Sequence, residues 1–107
     1  MIKEKIDVKE EILIEGESLT EKSYRVILHN DNVTLVHLVL ADLLEVFKLA
    51  FNDAMDKVLE AELNGKTIVK AGYTFSEANE KVKESDVFCK KISGGSQKLT
   101  LTIEEEN

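Results

Sequence analysis

Three short segments of the chain carry the apolar pattern of β-strands. The apolar side chains of residues 23–29 include two β-branched ones, and the segment is followed by the turn-forming run Asn30-Asp31-Asn32. Residues 67–73 form a second such segment. Residues 99–103 alternate leucine or isoleucine with threonine, which is typical of a half-buried strand.

Between these segments apolar residues recur every three or four positions, which predicts three helices. The first is predicted to begin at a Thr34 cap and to run to about Ala50, with most of its surface buried. The second is predicted to begin at a cap on Asn52 or Asp53 and to end near Asn64. The third is predicted to begin at a capping box and to end before Gly94-Gly95. The box pairs Thr74 with Glu77. The residues predicted to face inward are, on the second helix, Met55, Val58, Leu59 and Leu63 and, on the third helix, Ala78, Val82, Val87 and Phe88.

The order β-α-α-β-α-β predicts an α+β fold, a three-stranded antiparallel sheet with helices packed on one face. A chain of 107 residues with 43% hydrophobic residues can form one modest core. We expect a flexible N-terminal arm over residues 1–22 and a core domain over residues 23–107.

Composition narrows the classes of partner. The chain has 14 basic and 21 acidic residues, a net charge of -7, which disfavours nucleic acid and anionic membranes. Cys89 is the single cysteine, so an intramolecular disulfide is excluded, and no secretory signal is apparent at the N-terminus. We therefore expect a cytoplasmic protein, and we expect it to be monomeric.

The run Asn30-Asp31-Asn32 concentrates side-chain oxygens at the junction between the first strand and the first helix. These oxygens can accept hydrogen bonds from a cation, while the helix beside them supplies an apolar wall. The pattern favours a ligand that is positively charged at one point and apolar next to it. The same residue types are also common in simple turns, where they form only local hydrogen bonds.

Little in the sequence indicates an enzyme or a metal site. His29 and His37 are eight residues apart with no nearby cysteine or further histidine, so the ligand count of a zinc site is not reached. Cys89 lacks a basic or helix-N-terminal setting that would activate it, and is predicted to be a small buried residue. We expect no catalytic residue, no metal and no cofactor.

The stretch Y-R-V-I-L-H-N-D-N-V-T, from Tyr24 to Thr34, resembles the Asn-Asp-Asp-Tyr-Thr-Pro signature of the ClpS family. Members of that family are adaptors that deliver proteins with bulky apolar N-terminal residues to a Clp-type AAA+ unfoldase. The similarity extends to about Ile103, so the chain is identified as a divergent member. It is supported by the weaker matches Asn64-Gly65-Lys66, Tyr73-Thr74 with Glu80-Lys81-Val82, and the strand from Leu99.

The resemblance implies a role for particular residues. The α-ammonium of a substrate protein would be bound by Asn30, Asp31, Asn32 and Glu62. The first side chain of that protein would enter an apolar pocket formed by Thr34, Val36, Val39, Val58, Ala61 and Leu99. Glu77 and Lys81, on the third helix, would face the unfoldase, and residues 1–22 would serve in substrate hand-over.

The signature is not fully kept. Asn32, Val33 and Leu35 replace its second Asp, its Tyr and its Pro, and Glu62 replaces a histidine on the second helix. A carboxylate also accepts hydrogen bonds from an ammonium. The resemblance therefore implies N-terminal-residue recognition, and leaves open an interaction module that has lost it and binds the unfoldase or another protein. A site using His29, His37 and Glu62 for metal or catalysis is a third alternative.

Overall fold

The computed structural model describes residues 22–106 and confirms the predicted fold class and order of elements. None of the helices in this range is long and apolar enough to cross a membrane. The predicted arm lies outside the described residues except for Lys22, so the division into arm and core stays a prediction. The elements are β1 Tyr24–His29, α1 Val36–Glu45, α2 Phe51–Asn64, β2 Lys66–Tyr73, α3 Phe75–Ser93 and β3 Thr100–Glu105.

Strand β1 is the centre of the sheet, in the order β2-β1-β3, and both of its neighbours are antiparallel to it. The β1–β3 pairing is regular from Tyr24 opposite Glu105 to His29 opposite Thr100. The β1–β2 register shifts twice between Tyr24 and Ile27. Because β1 is central, the loop that follows His29 lies between the starts of β2 and β3.

The core lies between the sheet and the three helices. Val26 and Leu28 of β1 alternate with residues on the opposite face and pack against helical side chains. Both are almost completely buried. The other buried members of the core are Leu38, Leu43, Val46, Phe47, Ala54, Val58, Ala61, Val69, Ala78, Cys89 and Leu99.

Helix α3 has the capping box that the sequence predicts. The Glu77 amide donates to Thr74 Oγ1 (3.0 Å), and the Thr74 amide donates to Glu77 Oε1 (2.9 Å). The helix ends at Ser93, and the φ of 67° at its C-cap Gly94 is the left-handed conformation that glycine adopts without steric cost. Both ends of α3 are therefore fixed by local sequence.

Replacing Thr74 with alanine is expected to lower the free energy of unfolding by about 1 kcal/mol, because one helix-start amide then loses its acceptor. Chemical denaturation of the variant and the parent measures the difference. Ser76→Ala is the matched control, since Ser76 is exposed in the same turn. Equal stability of the Thr74 and Ser76 variants would contradict the capping role.

Two predicted boundaries of α1 are wrong. The helix begins at Val36 after Leu35, and Thr34 does not cap it; the Thr34 hydroxyl instead donates to Asp31 Oδ2 and to the Lys98 carbonyl. The helix ends at Glu45, five residues before the predicted end. The apolar spacing continues past this point because Val46 and Phe47 are core residues of the following loop.

Helix α2 also differs from its prediction. Its N-cap is Ala50, which makes no side-chain cap hydrogen bond, so neither Asn52 nor Asp53 caps the helix. The helix ends at Asn64, as predicted, and its C-cap Gly65 is left-handed (φ 88°). Three apolar residues predicted to face inward are exposed: Leu59, Leu63 and, on α3, Val87. Helix α2 turns Ala54, Val58 and Ala61 toward the core, and α3 turns Ala78, Ser85 and Cys89 toward it.

A buried carboxyl group joins α1 to α3. Asp42 is completely buried, and its Oδ2 accepts hydrogen bonds from Ser85 Oγ (2.6 Å) and Cys89 Sγ (3.3 Å). Among residues 22–106, its Oδ1 finds no hydrogen-bond partner. Burial raises the pKa of Asp42 despite these two hydrogen bonds. Burial, together with the Asp42 carboxyl group, raises the pKa of Cys89 to about 12, which favours the protonated thiol over the thiolate.

Candidate functional site

A pocket of about 360 Å³, including its open mouth, lies where β1 ends. Its walls come from the end of β1 and the loop after it, from the starts of α1 and β3, and from the second half of α2. These parts of the chain are far apart in sequence and meet only in the folded domain. The lining residues are Leu28, His29, Asn30, Asp31, Thr34, Val36, Val39, Val58, Ala61, Glu62, Leu99 and Thr100.

The inner part of the pocket is aliphatic. Leu28, Val58, Ala61 and Leu99 belong to the buried core, and Val39 packs against it. Their positions follow from the fold, since Leu28, Val39, Val58 and Ala61 lie on the inward faces of their strand or helices and Leu99 directly precedes β3. An apolar group that enters this part of the pocket is removed from water, which stabilises its binding by about 0.8 kcal/mol for each buried methylene.

The mouth of the pocket is polar and acidic. Asn30 and Asp31 belong to the loop of residues 30–35, named the rim loop below, and Glu62 lies in the last turn of α2. Within residues 22–106, neither the side-chain amide of Asn30 nor the carboxylate of Glu62 forms a hydrogen bond or a salt bridge. Both groups can therefore accept hydrogen bonds from a ligand at the mouth.

Asp31 has a different environment. Its Oδ1 accepts from the amides of Val33 (3.0 Å) and Thr34 (2.7 Å), and its Oδ2 accepts from the hydroxyls of Thr34 and Thr100 (3.0 Å each). Partial burial by itself would raise the pKa of Asp31, but these hydrogen bonds outweigh burial and the pKa is lowered. The carboxylate thus fixes the rim loop and places a full negative charge beside the pocket.

The α3–β3 connection holds the rim loop from the other side. Gln97 Oε1 accepts from the Leu35 amide (3.1 Å), and Gln97 Nε2 donates to the Val33 carbonyl (3.3 Å). The Thr34 hydroxyl donates to the carbonyl of Lys98 (3.1 Å). The pocket mouth therefore has a defined shape even though α1 has no capping side chain of its own.

The structure brings together all but one of the residues that the sequence assigned to the amine site and the pocket. Asn32 is the exception: it is exposed and does not line the pocket. What the remaining residues bind stays a prediction. Those that line the pocket are Asn30, Asp31, Thr34, Val36, Val39, Val58, Ala61, Glu62 and Leu99.

Several contributors were not predicted from the sequence. Leu28, His29 and Thr100 also line the pocket, and Gln97 holds the rim loop without lining it. The apolar pattern of the first strand indicates that Leu28 is buried, and this is the only sequence signal for its position in the pocket. Nothing local in the sequence links Thr100 or Gln97 to the rim loop, because these contacts span more than 60 residues.

The remaining assigned residues lie elsewhere. Glu77 caps α3, and Lys81 Nζ donates to the Val46 carbonyl (3.1 Å) and to Glu84 (3.2 Å). His37 is exposed beside a groove between α1 and α3, so it does not join His29 and Glu62 at the pocket. Within residues 22–106, no group of three His, Cys, Asp or Glu side chains is placed to hold a metal ion.

Comparison with known proteins agrees with this fold. Residues 20–102 match the family described as ATP-dependent Clp protease adaptor protein ClpS. Among solved structures, Agrobacterium tumefaciens ClpS2 bound to L-phenylalaninamide is similar, with a TM-score of 0.69 and 25% sequence identity over 81% of this chain and 100% of that one. No curated protein matches this chain significantly.

Proposed function

The chain belongs to the ClpS family of ATP-dependent Clp protease adaptors, and on that premise we propose that it binds the N-terminal residue of substrate proteins and delivers them to a Clp-type AAA+ unfoldase in the cytoplasm. The preferred residue has a free amine and a bulky apolar side chain. The observation that carries the proposal is an aliphatic pocket whose mouth holds Asn30, Asp31 and Glu62. The role is that of an adaptor, with no catalytic step.

The polar mouth suits an α-ammonium group. A desolvated ammonium needs several oxygen acceptors, since leaving it unpaired costs several kcal/mol. Asn30 and Glu62 supply acceptors that are not used inside the described part of the chain, and Asp31 adds a second negative charge. A hydrogen bond to a charged group contributes about 1.5–3 kcal/mol, so loss of the positive charge should weaken binding strongly.

The aliphatic interior suits the side chain of the same residue. Its walls are valine, leucine and alanine, which contribute no hydrogen-bonding side chains. Burial of a Leu- or Phe-sized side chain contributes about 1.5–3 kcal/mol relative to leaving it exposed. A free amine and a bulky side chain are therefore both needed for useful affinity.

The ligand named with Agrobacterium tumefaciens ClpS2 has both features. L-phenylalaninamide carries an α-amine and a benzyl group, and its carboxamide resembles the peptide bond that follows an N-terminal residue. The fold similarity over 81% of this chain supports a comparable ligand in the pocket described above.

Delivery to the unfoldase is proposed to use α3. This helix contributes no residue to the pocket lining, so a partner bound on α3 leaves the pocket open for a substrate protein. Glu77 and Lys81 are the proposed contact residues. Because both already form contacts inside the domain, we expect a partner to meet them together with the rest of the α3 surface.

Titration of peptides against the protein tests the proposal. Peptides that begin with Leu, Phe, Tyr or Trp should bind, whereas the same peptides with an acetylated N-terminus should bind at least about 100-fold more weakly. A peptide beginning with Gly serves as the side-chain control. Equal binding of free and acetylated peptides would reject N-terminal recognition.

The alternative is an interaction module that keeps the fold but no longer recognises N-termini. The presence of Glu62 where the family has a histidine on the second helix favours it. Capture of an unfoldase N-terminal domain by a protein that shows no peptide preference would support this alternative over the proposal.

A further inference from the structure

We propose that Gln97 is a positioning residue for the N-terminus-binding site, acting by holding the backbone of the rim loop. The inference rests on the function proposed above and adds a residue outside the pocket to it. Gln97 does not touch the bound residue; its effect passes through residues 33–35 to Asn30, Asp31 and Thr34 at the pocket mouth.

The start of α1 needs such a contact. The first amides of a helix have no partner within the helix and are usually satisfied by a capping side chain. Here the N-cap residue is Leu35, whose side chain cannot accept a hydrogen bond. The backbone amide of Leu35 itself donates to Gln97 Oε1 at 3.1 Å, so Gln97 accepts from the N-cap amide as a Glu or Gln does in a capping box.

The side-chain amide of Gln97 makes a second contact, which fixes its orientation. Gln97 Nε2 donates to the Val33 carbonyl at 3.3 Å, so both ends of the side-chain amide contact backbone groups on either side of Thr34. A single hydrogen bond would let the loop rotate about it. Two bonds to residues 33 and 35 define the position of the intervening residue as well.

Gln97 is itself anchored to α3. Its backbone amide donates to Ser93 Oγ (3.0 Å), and Ser93 Oγ donates to the Cys89 carbonyl (2.7 Å) within the last turns of the helix. The contact is therefore made from a fixed point of the fold. Gln97 is also partly buried, which restricts its side chain further.

The rim loop is the part of the pocket most in need of support. Asp31 forms hydrogen bonds within the loop, and the Thr34 hydroxyl donates to the Lys98 carbonyl. Within residues 22–106, Gln97 provides the only hydrogen bonds from the α3–β3 connection to residues 33 and 35. A loop that is less ordered before binding must lose more conformational entropy on binding, which weakens affinity.

Position 35 offers a specific test, because it is where the ClpS signature has proline. Leu35 has a φ of -70°, which proline also adopts, and its amide makes no bond within α1. Leu35→Pro therefore removes the amide that Gln97 satisfies while restricting the backbone directly. With proline at this position the contribution of Gln97 should become smaller.

The experiment is a double-mutant cycle on the affinity for a peptide beginning with Phe. We expect Gln97→Leu to weaken binding about fivefold, equivalent to about 1 kcal/mol, and Leu35→Pro to bind nearly as well as the parent. In the Leu35→Pro background, Gln97→Leu should cost less than about twofold. Ser96→Ala, which alters a neighbouring hydroxyl that contacts Ser93, is the control and should bind like the parent.

Hydrogen exchange of the Leu35 amide separates this inference from the proposed function. Exchange should be faster in Gln97→Leu than in the parent, with the melting temperature nearly unchanged. If neither the parent nor any variant binds the peptide, the proposed function fails. The exchange measurement still tests whether Gln97 holds the Leu35 amide. The inference is overturned if Leu35 exchange is unaffected, or if Gln97→Leu costs the same with leucine and proline at position 35.

Discussion

Replacing Glu62 with lysine is expected to weaken binding of a free N-terminus by at least about 100-fold, while the domain remains as stable as before. The substitution removes a charged acceptor at the pocket mouth and places a second ammonium group beside the bound one. Glu62 is exposed in the last turn of α2, where the helix macrodipole favours a positive charge, so stability should be equal or slightly higher. Peptide titration and thermal unfolding of the same variant give both results.

Matched variants separate the role of Glu62 from that of net charge. Asp56→Lys makes the same charge change on an exposed position of α2 that does not line the pocket, and should bind like the parent. Glu62→Gln keeps an acceptor without the charge and should lose about tenfold. Similar losses in the Glu62→Lys and Asp56→Lys variants would contradict a direct contact.

The second large effect concerns stability and pH. We expect the parent protein to lose stability relative to Asp42→Asn as pH rises, by up to about 1.4 kcal/mol per pH unit. Burial raises the pKa of Asp42, so the folded state holds its proton more tightly than the unfolded chain does. The stabilisation from this group is complete below the unfolded pKa of about 3.9 and is lost as pH rises through the folded pKa.

Urea unfolding of both proteins across a pH series measures this difference. Asparagine can still accept from Ser85, and any effect of its amide group on packing is independent of pH, so it cancels from the slope. Asp56→Asn, at an exposed site, should follow the parent. Parallel curves for the parent and Asp42→Asn would show that the buried carboxyl does not control the pH dependence.

The sequence predicts the order of elements well because each element carries its own signal. The third helix has Thr74 and Glu77 at its start and Gly94 at its end, and both predictions are confirmed. The first helix was misplaced because Thr34 resembles a cap but its hydroxyl contacts Asp31 and Lys98. Local sequence does not show which of two available partners a hydroxyl takes in the folded domain.

Burial was harder to predict than secondary structure. Periodicity placed Leu59 and Leu63 inside, although both are exposed, and it gave no reason to place the carboxyl group of Asp42 in the core. Asp42 is buried because α3 supplies Ser85 and Cys89 opposite it. A hydrogen-bond partner more than 40 residues away leaves no trace in the helical pattern.

The pocket was predictable only through the resemblance to a family. Asn30 and Asp31 stand out in the sequence, but Val58, Ala61 and Leu99 are ordinary core residues until the fold places them beside the rim loop. The support of that loop could not be foreseen. Asp31 was expected to bind an ammonium group, and its four internal hydrogen bonds give it a structural role as well.

A crystal structure of the protein with a peptide that begins with phenylalanine tests the central claim most directly. The account predicts the peptide's α-ammonium within about 3.2 Å of the Asn30 and Glu62 side-chain oxygens. It places the phenyl ring between Val39, Val58 and Ala61. A peptide bound on another surface, or one whose first side chain lies outside the pocket, would contradict the account.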